Sequence, residues 1–306
     1  MSQPLVTIAI TCYNYAEYVA QAIESALDQS YDHLEVIVID DGSTDNSVAI
    51  ISRYATKIKM ISRKNKGIVY TRNEALKLAK GDFFFFLDAD DFFDKDYVKQ
   101  MVGVAQKNDA DVVYPNWHVF GDAKYSKKYP EFDLQLLIEQ QIHCTSESLI
   151  RLDAIKGHRF ESEEVAEDWD FFLGLALAGK KFKLANECYI NYRVRRNTRG
   201  TSRLYWDDMR VFISILSKWE KKYPTLVNPV DLPISVGKKR DEFIDEQAKI
   251  ITHSSEKIKE LESQATQQVQ NIDTLTKELH DIRVSHAYRL GRLMISPLSR
   301  VKNHNK

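Results

Sequence analysis

The sequence predicts an α/β fold, a mostly parallel sheet with helices on both faces, followed by a C-terminal helical and coiled-coil extension. Three observations predict it. Apolar, strand-like runs alternate with segments of helical spacing through the first hundred residues, and three of those runs lead into loops rich in acidic or amide side chains. Beyond residue 240 a long stretch without Gly or Pro carries apolar residues every seven positions. Strands separated by helices form parallel sheets covered on both sides.

The elements follow in order. Leu5 to Thr11 is β-branched and apolar, a buried strand, and Tyr13-Asn14-Tyr15 is the loop after it. Glu17 to Gln29 places Val19, Ala22, Ile23, Ala26 and Leu27 at helical spacing. Leu34 to Ile39 is a second strand, which ends in Asp40-Asp41. The turn from Gly42 to Ser47 opens a helix, with Thr44 or Asp45 as its N-cap. Ile58 to Ile61 is a third strand, and Gly67 to Lys80 is a helix ended by Gly81. Phe83 to Leu87 is apolar at every position, a strand buried on both faces, and Asp88, Asp90 and Asp91 follow it at once. Ligands of such sheets bind outside the carboxyl ends of the strands, so the loops at Tyr13, Asp40 and Asp88 should line one crevice. An Asp-x-Asp at a strand end offers hard oxygen ligands for Mg²⁺ or Mn²⁺ and leaves coordination sites for substrate phosphates. Taken alone, Asp88-x-Asp90 fits a solvated acidic turn equally well.

Composition narrows the function. A net charge of −1 gives no electrostatic footprint for nucleic acid. Cys12, Cys144 and Cys188 are widely spaced, with neither a zinc pattern nor a disulfide framework, which suits a reducing cytoplasm. The N-terminus lacks the charged and apolar regions of a signal peptide, and no apolar stretch is long enough to span a bilayer.

Five elements in order, Thr11-Cys12-Tyr13-Asn14, Val38 to Asp45, Asn65-Lys66-Gly67 with Thr71-Arg72-Asn73, Leu87 to Asp91, and Glu167-Asp168-Trp169-Asp170, resemble the family 2 inverting glycosyltransferases of GT-A fold, of the kind that builds bacterial surface polysaccharides. The resemblance covers residues 4 to 205. It implies a Rossmann-like sheet, a nucleotide-sugar donor (UDP-linked at the family level), Mn²⁺ or Mg²⁺, and transfer to a saccharide or lipid-linked saccharide in synthesis of O-antigen or capsule-type glycan. Asp41 would read the base and Tyr13 stack on it, with Thr11, Asn14, Arg72, Asp88, Ala89, Arg193 and Arg196 also on the donor. Asp90 would be the main metal ligand, with Asp88. Asp168 would be the general base, with Glu167 and Asp170 as alternatives, and Trp169 is either core or part of an acceptor platform. Two other classes compete. A sugar nucleotidyltransferase needs a Gly-rich basic loop after the first strand, where this chain has Tyr13-Asn14-Tyr15-Ala16-Glu17. A catalytically weak scaffold organised by the coiled coil is opposed by the intact acids.

The catalytic domain is expected to span 1–222, with the nucleotide-binding part to about residue 115. Asp207 to Lys222 forms its last amphipathic helix. Pro224, Pro229 and Pro233 mark a linker over 223–240. A coiled coil over 241–285 follows, with Ile244, Ile251, Ile258, Ala265, Ile272 and Leu279 in one column and Gln247, Ser254, Leu261, Gln268, Leu275 and Ile282 in the other. It implies a homo-oligomer. The tail, 286–306, mixes Leu290, Leu293, Met294 and Leu298 with Arg289, Arg292, Arg300 and Lys302, the pattern of a peripheral anchor on the inner face of the cytoplasmic membrane.

Overall fold

The computed structural model describes residues 3–161, 166–195, 205–227, 231–285 and 289–291. Within them the strands are β1 (Val6–Cys12), β2 (Leu34–Asp40), β3 (Lys59–Ser62), β4 (Phe83–Asp88), β5 (Val112–Gly121), β6 (Tyr125–Lys127), β7 (Leu149–Arg151) and β8 (Phe182–Val194). They join one sheet in the order β3-β2-β1-β4-β7-β5-β6, with β8 also paired to β5. β1 runs parallel to β2 and β4, and β2 parallel to β3. The parallel expectation therefore holds for the N-terminal half. The sheet becomes mixed at β7, which lies between β4 and β5 and is antiparallel to both. β7 is three residues long, too short to show a period.

The helices are α1 (Val19–Leu27), α2 (Ser47–Ser52), α3 (Ile68–Leu78), α4 (Tyr97–Asn108), α5 (Leu134–Ile138), α6 (Glu167–Leu177), α7 (Tyr205–Glu220) and α8 (Asp231–Val284). Side chains alternate across β4 as the pleat requires. Phe84 and Phe86 enter a core layer shared with α3, α5, α6 and α7, whereas Phe83, Phe85 and Leu87 enter the opposite layer with α1, α2 and α4. A fully buried Phe contributes about 1.5–3 kcal/mol, so β4 is a central anchor of the domain.

Three local expectations need correction or refinement. Gly81 does not cap α3, which already ends at Leu78. Gly81 instead allows a close backbone approach. A Cβ there would lie 2.5 Å from the Phe83 carbonyl oxygen and 2.8 Å from both the Leu5 oxygen and the Thr7 nitrogen. The N-cap of α2 is Asn46, without a side-chain capping bond, not the expected Thr44 or Asp45; the Asp45 carboxylate closes the turn before it, accepting from the Ser47 N–H at 2.9 Å. Gly179, with φ of +76°, ends α6 as anticipated. The linker is shorter than 223–240, because α8 is helical from Asp231. Pro233 sits in its first turn, where the N–H has no intrahelical partner to lose.

The chain divides into two units, Met1–Val236 and Gly237–Lys306. In the second, every residue from 255 to 285 is exposed. No helix among the described residues is long and apolar enough to cross a membrane. Of the expected basic tail, only 289–291 are described. The crowding at Gly81 has a direct test. Gly81→Ala should cost about 1–3 kcal/mol through overpacking, read as a lower urea midpoint at unchanged slope.

Candidate active site

The strand register brings the three acidic or polar loops together. Thr11 pairs with Asp88 and Cys12 with Asp40, so the chain leaves β1, β2 and β4 at neighbouring carboxyl ends. The first two loops are laced to each other. Asn14, at φ +61°, accepts from the Thr44 N–H at 2.7 Å and donates its own N–H to Ser43 Oγ at 2.8 Å. The Tyr15 and Ala16 N–H groups donate to Ser47 Oγ (3.0 Å) and Asp45 Oδ2 (2.9 Å). Asn tolerates the left-handed backbone at position 14 better than most residues. Thr11 and Ala89 are buried beside this crevice, and Tyr13 is 46% exposed, with its ring available to a ligand.

Asp40 is fully buried and shapes the Gly42 turn, accepting from the N–H groups of Gly42 and Ser43. Asp41, expected to read the base, has both oxygens engaged within the protein. Oδ1 accepts from the Lys66 N–H at 2.8 Å and Oδ2 from the Gly67 N–H at 2.9 Å, and Arg63 pairs with it as well. Its geometry is that of an anchor for the 63–67 loop. Lys66 itself rests on Tyr70, 4.3 Å from the ring centroid.

Arg72 is the hub of the site. It is 4% exposed, and its guanidinium donates to Glu167 Oε1 at 2.9 Å and Ser146 Oγ at 3.2 Å and lies 3.5 Å from Asp88 Oδ1. Arg72, expected on the donor side, is thus not engaged in a helix-surface pair with Glu74 or Asp82. Glu74 pairs instead with Arg63. The carboxylates of Glu167, Asp88, Asp168 and Glu147 all hold the Arg72 charge in place, against the cost of burial.

α6 presents its acids unequally. Asp168 stands in the first turn, partly exposed, accepting from the Trp169 N–H at 2.7 Å. Burial raises its pKa, and Arg72 opposes the rise. Glu167 is engaged by Arg72. Asp170 is removed from the site: it is 3% exposed, accepts from Lys218 Nζ at 2.6 Å and from Trp219 Nε1 at 2.7 Å, and fastens α7 to α6. Trp169 is core, not an acceptor platform. Its Nε1 donates to the Leu137 carbonyl at 2.8 Å and its ring meets Phe212 edge-on. His143 is likewise a packing residue, stacked on Tyr129. Trp117 stacks on Tyr192 and His118 on Tyr189. Glu163 and Glu164 lie outside the described residues.

The arginines of β8 are also redistributed. Arg193 donates from Nε to the Asp90 carbonyl at 2.8 Å and from Nη2 to Gln21, with its guanidinium between the rings of Tyr18 and Phe120. It clamps the loop and does not project freely. Arg195, two residues on, reaches Asp90 Oδ2 at 3.0 Å. Arg196, Ser202 and Arg203 lie outside the described residues.

This changes the expected ligand set. Asp90, named as the main metal ligand, faces the Arg195 guanidinium, and its pKa is pushed up to about 6 by burial and by Asp88. The acids that converge are Asp88, Asp91 and Glu147, each offering an oxygen within 4.8 Å of the others. Glu147 is 1% exposed, and neither of its oxygens has a hydrogen-bond partner of normal geometry. Three carboxylates, one of them buried and unmatched, fit a hard divalent cation.

A profile of Glycosyl transferase family 2 matches residues 7–164. A chondroitin synthase and a hyaluronan synthase of Pasteurella multocida are each 34% identical over 195 residues, which make up 61% of this chain and 20% of either synthase. The chain thus spans a small part of those relatives. Among solved structures, S. aureus TarS in complex with UDP-GlcNAc gives a TM-score of 0.58 at 21% identity, over 69% of this chain and 66% of that one. A mannosyltransferase from Pyrobaculum calidifontis in complex with GDP-Man and Mn²⁺ gives 0.56 at 17%, over 78% and 70%. At these identities the likeness shows the fold, a GT-A-like α/β sheet.

The buried acid cluster gives a signed pH prediction. Glu147 is pushed from its ordinary 4.5 up to about 8, by burial first and then Asp88, with Arg72 opposing. A carboxyl that binds its proton more tightly when folded costs stability as pH rises through that interval. In EDTA, Glu147→Gln should therefore raise the thermal midpoint, with a gap over wild type that widens from pH 5 to pH 8. The same variant should lose the upward shift that Mn²⁺ gives the wild type. Scanning fluorimetry with and without Mn²⁺ measures both.

Proposed function

Because the chain belongs to glycosyl transferase family 2, we propose that it moves a sugar, with inversion, from a nucleoside-diphosphate-sugar, UDP-linked by family expectation, to a hydroxyl of a saccharide or lipid-linked saccharide. The observation that carries this reading is the link Asp88–Arg72–Glu167, which sets the donor-side acid beside the first turn of α6, where Asp168 stands.

The nucleoside would lie at the ends of β1 and β2, with its base against the exposed Tyr13 ring and the loop held by Asp41. Asp88, Asp91 and Glu147 would hold Mn²⁺ or Mg²⁺, which supplies Lewis-acid neutralisation of the departing diphosphate. Arg195, at the rim of the acids, is placed to meet diphosphate oxygens. On the other side, Asp168 takes the proton of the acceptor hydroxyl as it attacks the anomeric carbon from the face opposite the leaving group. Its partial burial raises its pKa and makes it a better base than a free aspartate. Glu167, tied to Arg72, orients the turn. The chondroitin and hyaluronan synthases among the relatives support assembly of a polysaccharide. The basic residues of the tail support contact with an anionic membrane surface, where a lipid-linked acceptor would reside.

Purified protein with Mn²⁺ and a panel of UDP-, GDP- and dTDP-sugars should release nucleoside diphosphate, and EDTA should abolish the release. Silence with every donor, in the presence of saccharide acceptors, overturns the reading. Asp168→Asn should retain the donor dissociation constant and lose about 10²–10⁴-fold in kcat; near-normal turnover would move the base elsewhere.

A further inference from the structure

Residues 255–284 of α8 are exposed throughout, yet their apolar side chains recur at a fixed spacing. With Ile258 at heptad position a, Ala265, Ile272 and Leu279 follow at a, and Leu261, Gln268, Leu275 and Ile282 occupy d. The Ile and Leu residues of this seam expose between 51% and 61% of their surface. A seam repeating every 3.5 residues is the surface that one helix offers another.

The flanking charges indicate which helix that is. Positions g and e hold Lys257 with Glu262, and Glu278 with Arg283. In a parallel, in-register pair each g residue meets the e residue five positions on in the partner, so both contacts join opposite charges. The intervening g and e positions, Gln264 with Val269 and Asn271 with Thr276, are uncharged. Lys257 also pairs with Glu260 on its own helix at 2.6 Å, which leaves its charge on that flank. The polar seam residue decides orientation. In an antiparallel pair a faces d, and every a residue of the stretch is apolar, so the Gln268 amide would be buried against Ile, Leu or Ala. In the parallel pair it meets its own copy, whose amide both donates and accepts. Ile at a with Leu at d, as in 258/261 and 272/275, favours two strands.

We propose that residues 255–285 form a parallel, in-register, two-stranded coiled coil with a second copy of this chain. Both tails then leave the coil at the same end, which doubles the basic charge presented to any one surface.

The full chain should sediment as a dimer at micromolar concentration. Gln268→Cys should cross-link into a covalent dimer under mild oxidation with diamide. The wild type is the silent control, because Cys12, Cys144 and Cys188 are buried. Glu278→Arg places like charges at both symmetry-related copies of the 278/283 contact and should weaken the dimer roughly ten-fold; adding Arg283→Glu should restore it. A monomer, a trimer, a dimer that fails to cross-link at position 268, or no restoration by the double exchange each overturns the proposal.

Discussion

Arg72 is a cation with almost no solvent, held among carboxylates that come from β4, from the segment before β7 and from the start of α6. Losing the Arg72 cation itself typically costs about 3–5 kcal/mol, because it leaves uncompensated carboxylates in a low-dielectric interior. The arrangement is therefore self-consistent only when all three segments are in place. Asp88 and the turn bearing Asp168 are then held together by electrostatics as well as by chain connectivity. This is how residues eighty positions apart come to share one site. Burial, and then the charge of Asp88, lift the pKa values of Asp90 and Glu147, and a divalent cation would relieve the repulsion part of that cost.

Much of this was legible in the sequence, for a physical reason. β1, β2 and β4 are buried on both faces and so read as unbroken apolar runs, and parallel strands deliver their following loops to one edge. The convergence of Tyr13, Asp41 and Asp88 needed no more than that. The motif order pointed to Arg72 and Asp168 as well. What was not legible depends on side-chain direction. Glu147 belongs to no motif and is buried beneath the acids by β7, a strand without a readable period. Arg195 was overlooked in favour of Arg196, although strand alternation from Arg193 places positions 193 and 195 on one face.

The alternatives left open on α6 sort by the same kind of geometry. Trp169 and Asp170 stand one and two positions after Asp168, hence about 100° and 200° around a helix. The acid two positions on cannot share a face with the first, and the contacts of Asp170 with Lys218 and Trp219 agree. Trp219 in turn lies over Gly174, where an added Cβ would fall 2.6 Å from the indole. A residue type that looks catalytic by neighbourhood is here a fastening between two helices. Asp41 shows the reverse ambiguity, a motif residue whose side-chain contacts are all with the 63–67 loop.

The stitching at Asn14 carries a kinetic implication. Loops that must be ordered when a ligand arrives slow and weaken its capture, since their freedom is lost in the encounter. Here the Asn14–Thr44 and Ala16–Asp45 bonds settle that loss when the polypeptide folds. Ligand entry should then be governed by shedding water from a pre-shaped cleft, with little waiting for segments to rearrange.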